Sequence, residues 1–150
     1  MNTAVQEKGI SAIEKNKELL RKAVEEVWNK GNFDNMKEMI SDDFVIHFSR
    51  PGEELRGPEN VKQFYSSLRG AFPDLHFKIL NQVAEEDKVV THWTASGTHQ
   101  GEFKGIPATG NKVTFTAMDI DRIVDGKAVE CWSNVDELSL MQQLGVIPGK

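Results

Sequence analysis

From about Ile10 to Asn29 the apolar residues Ile13, Leu20, Ala23, Val24, Val27 and Trp28 recur three and four positions apart, with Glu14, Lys15, Lys22, Glu25 and Glu26 between them. That period places one apolar stripe on a helix and predicts an amphipathic element packed on a core. Gly31 stops it, and Asp34 is positioned to cap a short second helix carrying Met36, Met39 and Ile40. The period then changes. DFVIHFS, Asp43 to Ser49, reads as a strand, and the following RPGEELRGP, rich in Pro and Gly, reads as a polar turn. Gly57-Pro58-Glu59 opens a third helix through Phe64, Tyr65 and Leu68 that ends before Phe72-Pro73-Asp74. Alternation dominates the rest. LHFKILNQVAEE and DKVVTHWTASGTH are two strands joined near Asp87-Lys88, the loop QGEFKGIPATGNK follows, and VTFTAMDIDRIV and KAVECWSNVD are joined by Asp125-Gly126. ELSLMQQLGVIPGK closes the chain with one or two helical turns.

Helices first and a meander of strands afterwards predict an α+β domain: a curved antiparallel sheet forming a cone or half-barrel around the N-terminal helices. A concave sheet covered by helices leaves a cavity, the default site for a small ligand. The 150 residues suit one domain, 1–150, with 1–12 as a loosely ordered N-terminal extension.

The last hairpin carries the candidate chemistry. Asp-Gly between alternating apolar residues predicts a two-residue type I′ loop, whose central residues both need positive φ. With that loop, Val124 faces Lys127, Asp121 faces Glu130, Asp119 faces Trp132, Ala117 faces Asn134 and Phe115 faces Asp136. One face of the hairpin is then Phe115, Ala117, Asp119, Asp121, Glu130, Trp132, Asn134 and Asp136, aromatics among carboxylates. Asp121 and Glu130, opposed beside the turn, repel unless solvated and are assigned to the solvated end. The other face holds Thr114, Thr116, Met118, Ile120, Arg122, Val129, Cys131, Ser133 and Val135. Small, semi-apolar and β-branched, it suits packing against the sheet of a second subunit.

Charge narrows the function classes. A formal charge of −5, from 18 basic and 23 acidic residues with no basic block, argues against a nucleic-acid partner. The lone Cys131 cannot form an internal disulfide and reads as a small buried residue. No apolar run has the length of a signal peptide or membrane span, so the expected location is cytoplasmic, with no membrane partner. His47, His76, His92 and His99 lack the spacing of a metal site, and GIPATG lacks the Lys-Ser/Thr pair of a phosphate loop. No cofactor and no metal are expected. GIPATG instead reads as a tight loop, a lip over the cavity mouth.

Three stretches, VWNKGNFDNMKEMISDDFVIHF, GTHQGEFKGIPATGNKV and DIDRIVDGKAVECWSNVDELSLMQQLG, together resemble the SnoaL-like polyketide cyclases, or ester cyclases, of the nuclear-transport-factor-2-like (cystatin-like) superfamily. The resemblance spans roughly residues 15 to 148; the WNKG helix end belongs to the whole superfamily, whereas GIPATG, the DGK-to-Asp136 run and the QLG tail are narrower. It implies an α+β barrel or cone with a closed pocket, and a homodimer or larger oligomer. It also implies an intramolecular aldol condensation that closes a ring in a polyketide methyl ester, without metal or Schiff-base lysine, using an acidic residue near the chain's end. Carried onto this sequence, that residue is Asp136 first and Asp119 second.

Proton abstraction beside a carbonyl needs a positioned base, and a carboxylate among Trp132 and Phe115 would have a raised pKa. Asp136 is therefore read as a pocket acid or, alternatively, as the cap of the C-terminal turn. Asp119 is read as catalytic or as a hydrogen-bonded structural carboxylate. His47, between Ile46 and Phe48, could donate to a substrate oxygen or be a satisfied inner histidine. Trp132, Asn134, Phe115 and Trp93 are the expected ligand-binding wall, Trp93 being chosen over His92, whose side chain must face the other way. His76 and His99 are assigned to surface or loop. The function expected is cofactor-free acid/base chemistry, aldol-type cyclisation or isomerisation, on an apolar carbonyl compound. The alternative is a non-catalytic ligand-binding or accessory dimer. An epoxide hydrolase ranks below both, because its Asp-Arg-Asp arrangement is poorly matched by Asp121-Arg122, which point to opposite faces.

Overall fold

The computed structural model describes residues 3–149. Helix α1, Thr3–Lys22, continues without a break into a π-helical segment, Ala23–Asn29. The stretch 1–12 thus enters α1 from Thr3 onward, and residues 1 and 2 lie outside the described residues. The wider π turn is closed by the Lys30 N–H donating to the Glu25 carbonyl at 3.1 Å, five residues back. It turns Val24 and Val27 into the core and Trp28 against Tyr65 and Phe77. Gly31, at φ 69°, ends the segment in the left-handed conformation that glycine adopts at least cost. A 3₁₀ turn, Phe33–Asn35, leads into α2, Met36–Met39, without the side-chain cap expected from Asp34.

The strands are β1 Ile40–Phe48, β2 Glu54–Arg56, β3 His76–Glu85, β4 Lys88–Thr98, β5 Lys112–Val124 and β6 Lys127–Val135. Helix α3, Pro58–Ala71, lies between β2 and β3, and α4, Glu137–Gln143, follows β6. One curved, unclosed sheet runs β2-β1-β6-β5-β4-β3, which makes the domain α+β. Two sequence expectations are corrected. The polar turn after β1 contains a three-residue edge strand, β2, paired antiparallel to β1. The sheet is also not wholly antiparallel, because β1 and β6 pair in parallel. The chain between them supplies the long crossover that a parallel pair requires.

Alternation is strict on β5, where Val113, Phe115, Ala117, Asp119, Asp121 and Ile123 are buried and the intervening residues are not. Asn29 fixes the helical layer to β3 through its amide, which donates to the Phe77 carbonyl (2.9 Å) and accepts from the Phe77 N–H (2.8 Å). The loop after β4 crosses the end of α3 closely: Gln100 and Gly101 N–H both donate to the Ala71 carbonyl. A side chain at Gly101 would sit 2.3 Å from the Gly70 carbonyl oxygen, so only glycine fits there. Among the described residues no helix is long and apolar enough to cross a membrane.

The last hairpin departs from its expected register. Asp125 and Gly126 both have positive φ, as a type I′ loop requires, and Val124 pairs with Lys127 and Ile123 with Ala128. A bulge at Val129 then shifts the ladder by one. Asp121 lies opposite Cys131, Asp119 opposite Ser133, and Ala117 opposite Val135, in place of Glu130, Trp132 and Asn134. A one-residue slip exchanges the two faces of a strand. Without the bulge Ala128 and Glu130 would both point inward. With it, Glu130 turns out while Cys131 and Ser133 are buried.

Candidate active site

Between the concave face of the sheet and helices α1 and α3 lies a cavity of about 140 Å³. An apolar cavity of roughly 150 Å³ holds a benzene-sized ring, so one aromatic ring fits without movement. Trp28, Phe77, Trp93 and Phe115 wall one part, and Met36, Met39, Phe44 and Ile46 the other. The partly exposed Glu53, Lys104 and Glu137 also line it and mark where it meets solvent. Lys104 and Arg50 both pair with Glu137, at 3.6 and 2.6 Å. From this rim inward, β6 contributes Val135, Ser133 and Cys131, and β5 contributes Phe115, Asp119 and Asp121.

Asp119 is 4 % exposed and sits in the cavity wall. The Trp93 indole Nε1–H donates to its Oδ2 at 2.9 Å, and the Ser133 hydroxyl donates to its Oδ1 at 2.6 Å. Cross-strand pairing places both donors, since β4 and β6 flank β5 and Ser133 is the direct partner of Asp119. Burial raises the pKa, while the Ser133 and Trp93 bonds lower it. Burial wins, and the carboxyl is pushed up to about 6. A base poised near neutrality, with one lone-pair direction left on each oxygen, is suited to taking and returning a proton.

Asp121, two residues further along the same face, is 5 % exposed and lines the same cavity. Burial first, and the Asp119 charge second, push its carboxyl well above the usual range, opposed only by a hydrogen bond from Cys131. Burial likewise pushes the Cys131 thiol up, so it is a packed thiol rather than a nucleophile. Among the described residues no group of three or more His, Cys, Asp or Glu side chains converges to hold a metal.

The cavity brings together three of the residues singled out from sequence, Asp119, Trp93 and Phe115. The remaining four lie elsewhere. Asp136 is exposed and caps α4, accepting from the Ser139 N–H at 3.1 Å. The bulge turns Trp132 and Asn134 to the outer face, where Trp132 is 38 % exposed and Asn134 accepts from Ser49. His47 is on that outer face too, stacked on Trp132 with Nε2 2.7 Å from Glu130 and Nδ1 3.0 Å from Glu54. The bond to Glu130, more than any other contact, raises its pKa. His99 lies in the loop that follows β4, one of the two places expected for it, but is fully buried there against Phe72 rather than at the surface; its Nδ1 accepts from the Thr109 N–H and so ties down the loop before β5.

Sequence reasoning missed Asp121, Ser133 and Trp28 as cavity residues. Asp121 was visible, since the alternation of β5 already places it beside Asp119; the expected pairing with Glu130 is what assigned it to solvent. Ser133 had no signal without the bulge.

Comparison with known proteins bears on the family and the fold. The chain is 31% identical over 135 residues to the aklanonic acid methyl ester cyclase DauD of Streptomyces sp. (strain C5), covering 85% of this chain and 80% of that protein. It is 31% identical over 134 residues to the aklanonic acid methyl ester cyclase DnrD of Streptomyces peucetius, covering 85% and 89%. The crystal structure of AclR from Streptomyces galilaeus superposes with a TM-score of 0.81 at 31% identity, covering 92% of this chain and 85% of that one. The family model for SnoaL-like polyketide cyclases matches residues 18–144, and the chain belongs to that family.

Proposed function

We propose that the protein is an acid/base enzyme that closes a ring by an intramolecular aldol-type reaction of an apolar carbonyl compound, with Asp119 as the proton carrier. The observation that carries this reading is the Asp119 carboxyl in the cavity wall, lifted to about 6 by burial and held in one orientation by Trp93 and Ser133. The carboxylate takes a proton from a carbon beside a carbonyl. The resulting enolate carbon attacks a second carbonyl of the same molecule, a C–C bond forms, and the carbonyl π bond breaks. The new alkoxide oxygen then takes the proton back from the Asp119 carboxyl, so the product is an isomer of the substrate. A base with a pKa of about 6 is weak for carbon acids. The carbon it deprotonates must therefore be activated, most simply by a carbonyl on each side, as in a β-keto ester. The two relatives named as methyl ester cyclases support that substrate class.

A homodimer through the outer face of the sheet is part of the same proposal. Met118, Ile120 and Trp132 are exposed side by side there, 38 % or more each. The face is more aromatic than the sequence register implied, because the bulge brings Trp132 to it in place of Cys131.

A second reading, a protein that binds a ligand without chemistry, is favoured by one observation: both Asp119 oxygens already accept internal hydrogen bonds. Hydrogen–deuterium exchange of methyl benzoylacetate in D₂O, followed by NMR, separates the two. The enzyme reading expects faster exchange at the carbon between the carbonyls with wild type and a loss of about 10²-fold or more in Asp119→Asn. Equal rates in the two proteins would favour the binding reading.

A further inference from the structure

Asp121 is a carboxyl that neither the fold nor the proposed chemistry explains. It is buried, lines the cavity two residues inward from Asp119 and, apart from the Cys131 thiol across the strand pair, has no hydrogen-bonding partner among the described residues. Val89 and Cys131 flank it on the neighbouring strands, and the Tyr65 phenol, pushed well up by burial first and by the Asp119, Cys131 and Asp121 charges after it, lies in the same cavity wall without a hydrogen bond to it among the described residues. A buried carboxyl without a partner destabilises a fold relative to an apolar side chain of similar size. Packing alone would favour leucine here. The contrast with Asp119 is direct: that carboxyl has an indole and a hydroxyl donor from the protein, whereas Asp121, in the same cavity wall, has no N–H or O–H donor among the described residues.

We propose that Asp121 is a ligand-anchoring residue: its carboxyl hydrogen-bonds a hydroxyl group at the inner end of an apolar ring compound whose reacting carbonyl lies at Asp119. This rests on the reading of Asp119 given above. Successive inward positions on a strand are about 7 Å apart, which sets the spacing of the two oxygen functions on the ligand. That spacing is close to the span of a para-substituted aromatic ring, and one such ring fits the 140 Å³ space. A hydroxyl is the matching group because a protonated carboxyl offers one donor and one acceptor together, and a hydroxyl accepts the first and donates to the second. Burial and the neighbouring Asp119 charge both favour that protonated form. The ligand class is therefore a hydroxylated aryl ketone or aryl β-keto ester, entering hydroxyl first past Lys104 and Glu137.

The probes are acetophenone and 4-hydroxyacetophenone, which differ only in the para hydroxyl, titrated by quenching of Trp28 and Trp93, both in the cavity wall. Wild type is expected to bind the hydroxylated probe at least tenfold more tightly. Asp121→Leu abolishes that preference while leaving acetophenone affinity within about twofold, and Asp121→Asn, which keeps a donor and an acceptor, retains most of it. Asp119→Asn keeps the preference although it loses exchange activity, so the anchoring role and the catalytic role fail separately. Circular dichroism checks that each variant is folded. If wild type shows no preference for the hydroxyl, or Asp121→Leu retains it, the inference is overturned.

Discussion

Replacing Asp119 by Asn should change how stability depends on pH, by an amount the structure fixes. Burial lifts the folded-state pKa from 3.8 to about 6, and each unit is worth about 1.4 kcal/mol, so the total is ~3 kcal/mol. The sign follows from proton counts. Between the two pKa values the folded protein holds a proton that the unfolded chain has released. The stability is therefore present below the unfolded value and is lost as pH rises through about 6. Of the ~3 kcal/mol, about 2 falls between pH 4.5 and 7.5. With a urea slope of about 2 kcal/mol per molar, the wild-type midpoint should drop by roughly 1 M relative to that of Asp119→Asn across this window. The difference belongs to the coupled carboxyls rather than to Asp119 alone, because the Asp119 charge also raises Asp121. Removing it lowers the Asp121 contribution in the same direction. A midpoint difference flat across the window would refute the reasoning. So would a wild type that gains on the variant as pH rises, since that would mean the Ser133 and Trp93 donors outweigh burial.

Three other outcomes are expected. Asp121→Asn should raise the thermal midpoint at pH 8, because the unfolded chain ionises this carboxyl freely there while burial disfavours the charged form in the fold, a cost the neutral amide does not carry; calorimetry reads it. On the outer face, His47 gains most from Glu130, so its contribution is complete below the usual histidine pKa and fades as pH rises through its raised folded value; Glu130→Gln should lower the His47 pKa seen by NMR titration. In sedimentation at micromolar concentration the wild type should run at twice the chain mass, and Met118→Glu, in the middle of the exposed apolar group, at the single mass; a wild-type monomer would remove the dimer from the proposal.

Much of this architecture could be read from residue patterns. The period of three and four between Ile13 and Trp28, and the alternation from Val113 to Ile123, each follow from local geometry that the sequence carries directly. The π turn was not legible, since Val24, Val27 and Trp28 fit an ordinary helical stripe as well as a widened one. The β2 strand was not legible because ELR is short and polar and is defined only by its pairing with β1. Nor could any local pattern show that the first strand lies parallel to the last. The candidate site turned on one residue. The Asp125-Gly126 loop fixes register for two pairs only, and the bulge at Val129 then reverses every assignment on β6. Its signal was present, in that strict alternation from Ala128 would have aimed the Glu130 carboxylate at the core. On β5, which has no bulge, parity sets Phe115, Asp119 and Asp121 on one face, and only the expected pairing with Glu130 sent Asp121 to solvent.

The central claim, that Asp119 is a buried base tuned by burial against two donors, is tested most directly by the pH profile of proton exchange. The exchange rate of methyl benzoylacetate should rise with pH through an apparent pKa of about 6 in wild type. In Ser133→Ala, which loses the 2.6 Å bond to the carboxylate, that apparent pKa should move up by roughly one unit. A profile unmoved by Ser133→Ala, or one that persists in Asp119→Asn, would contradict the account.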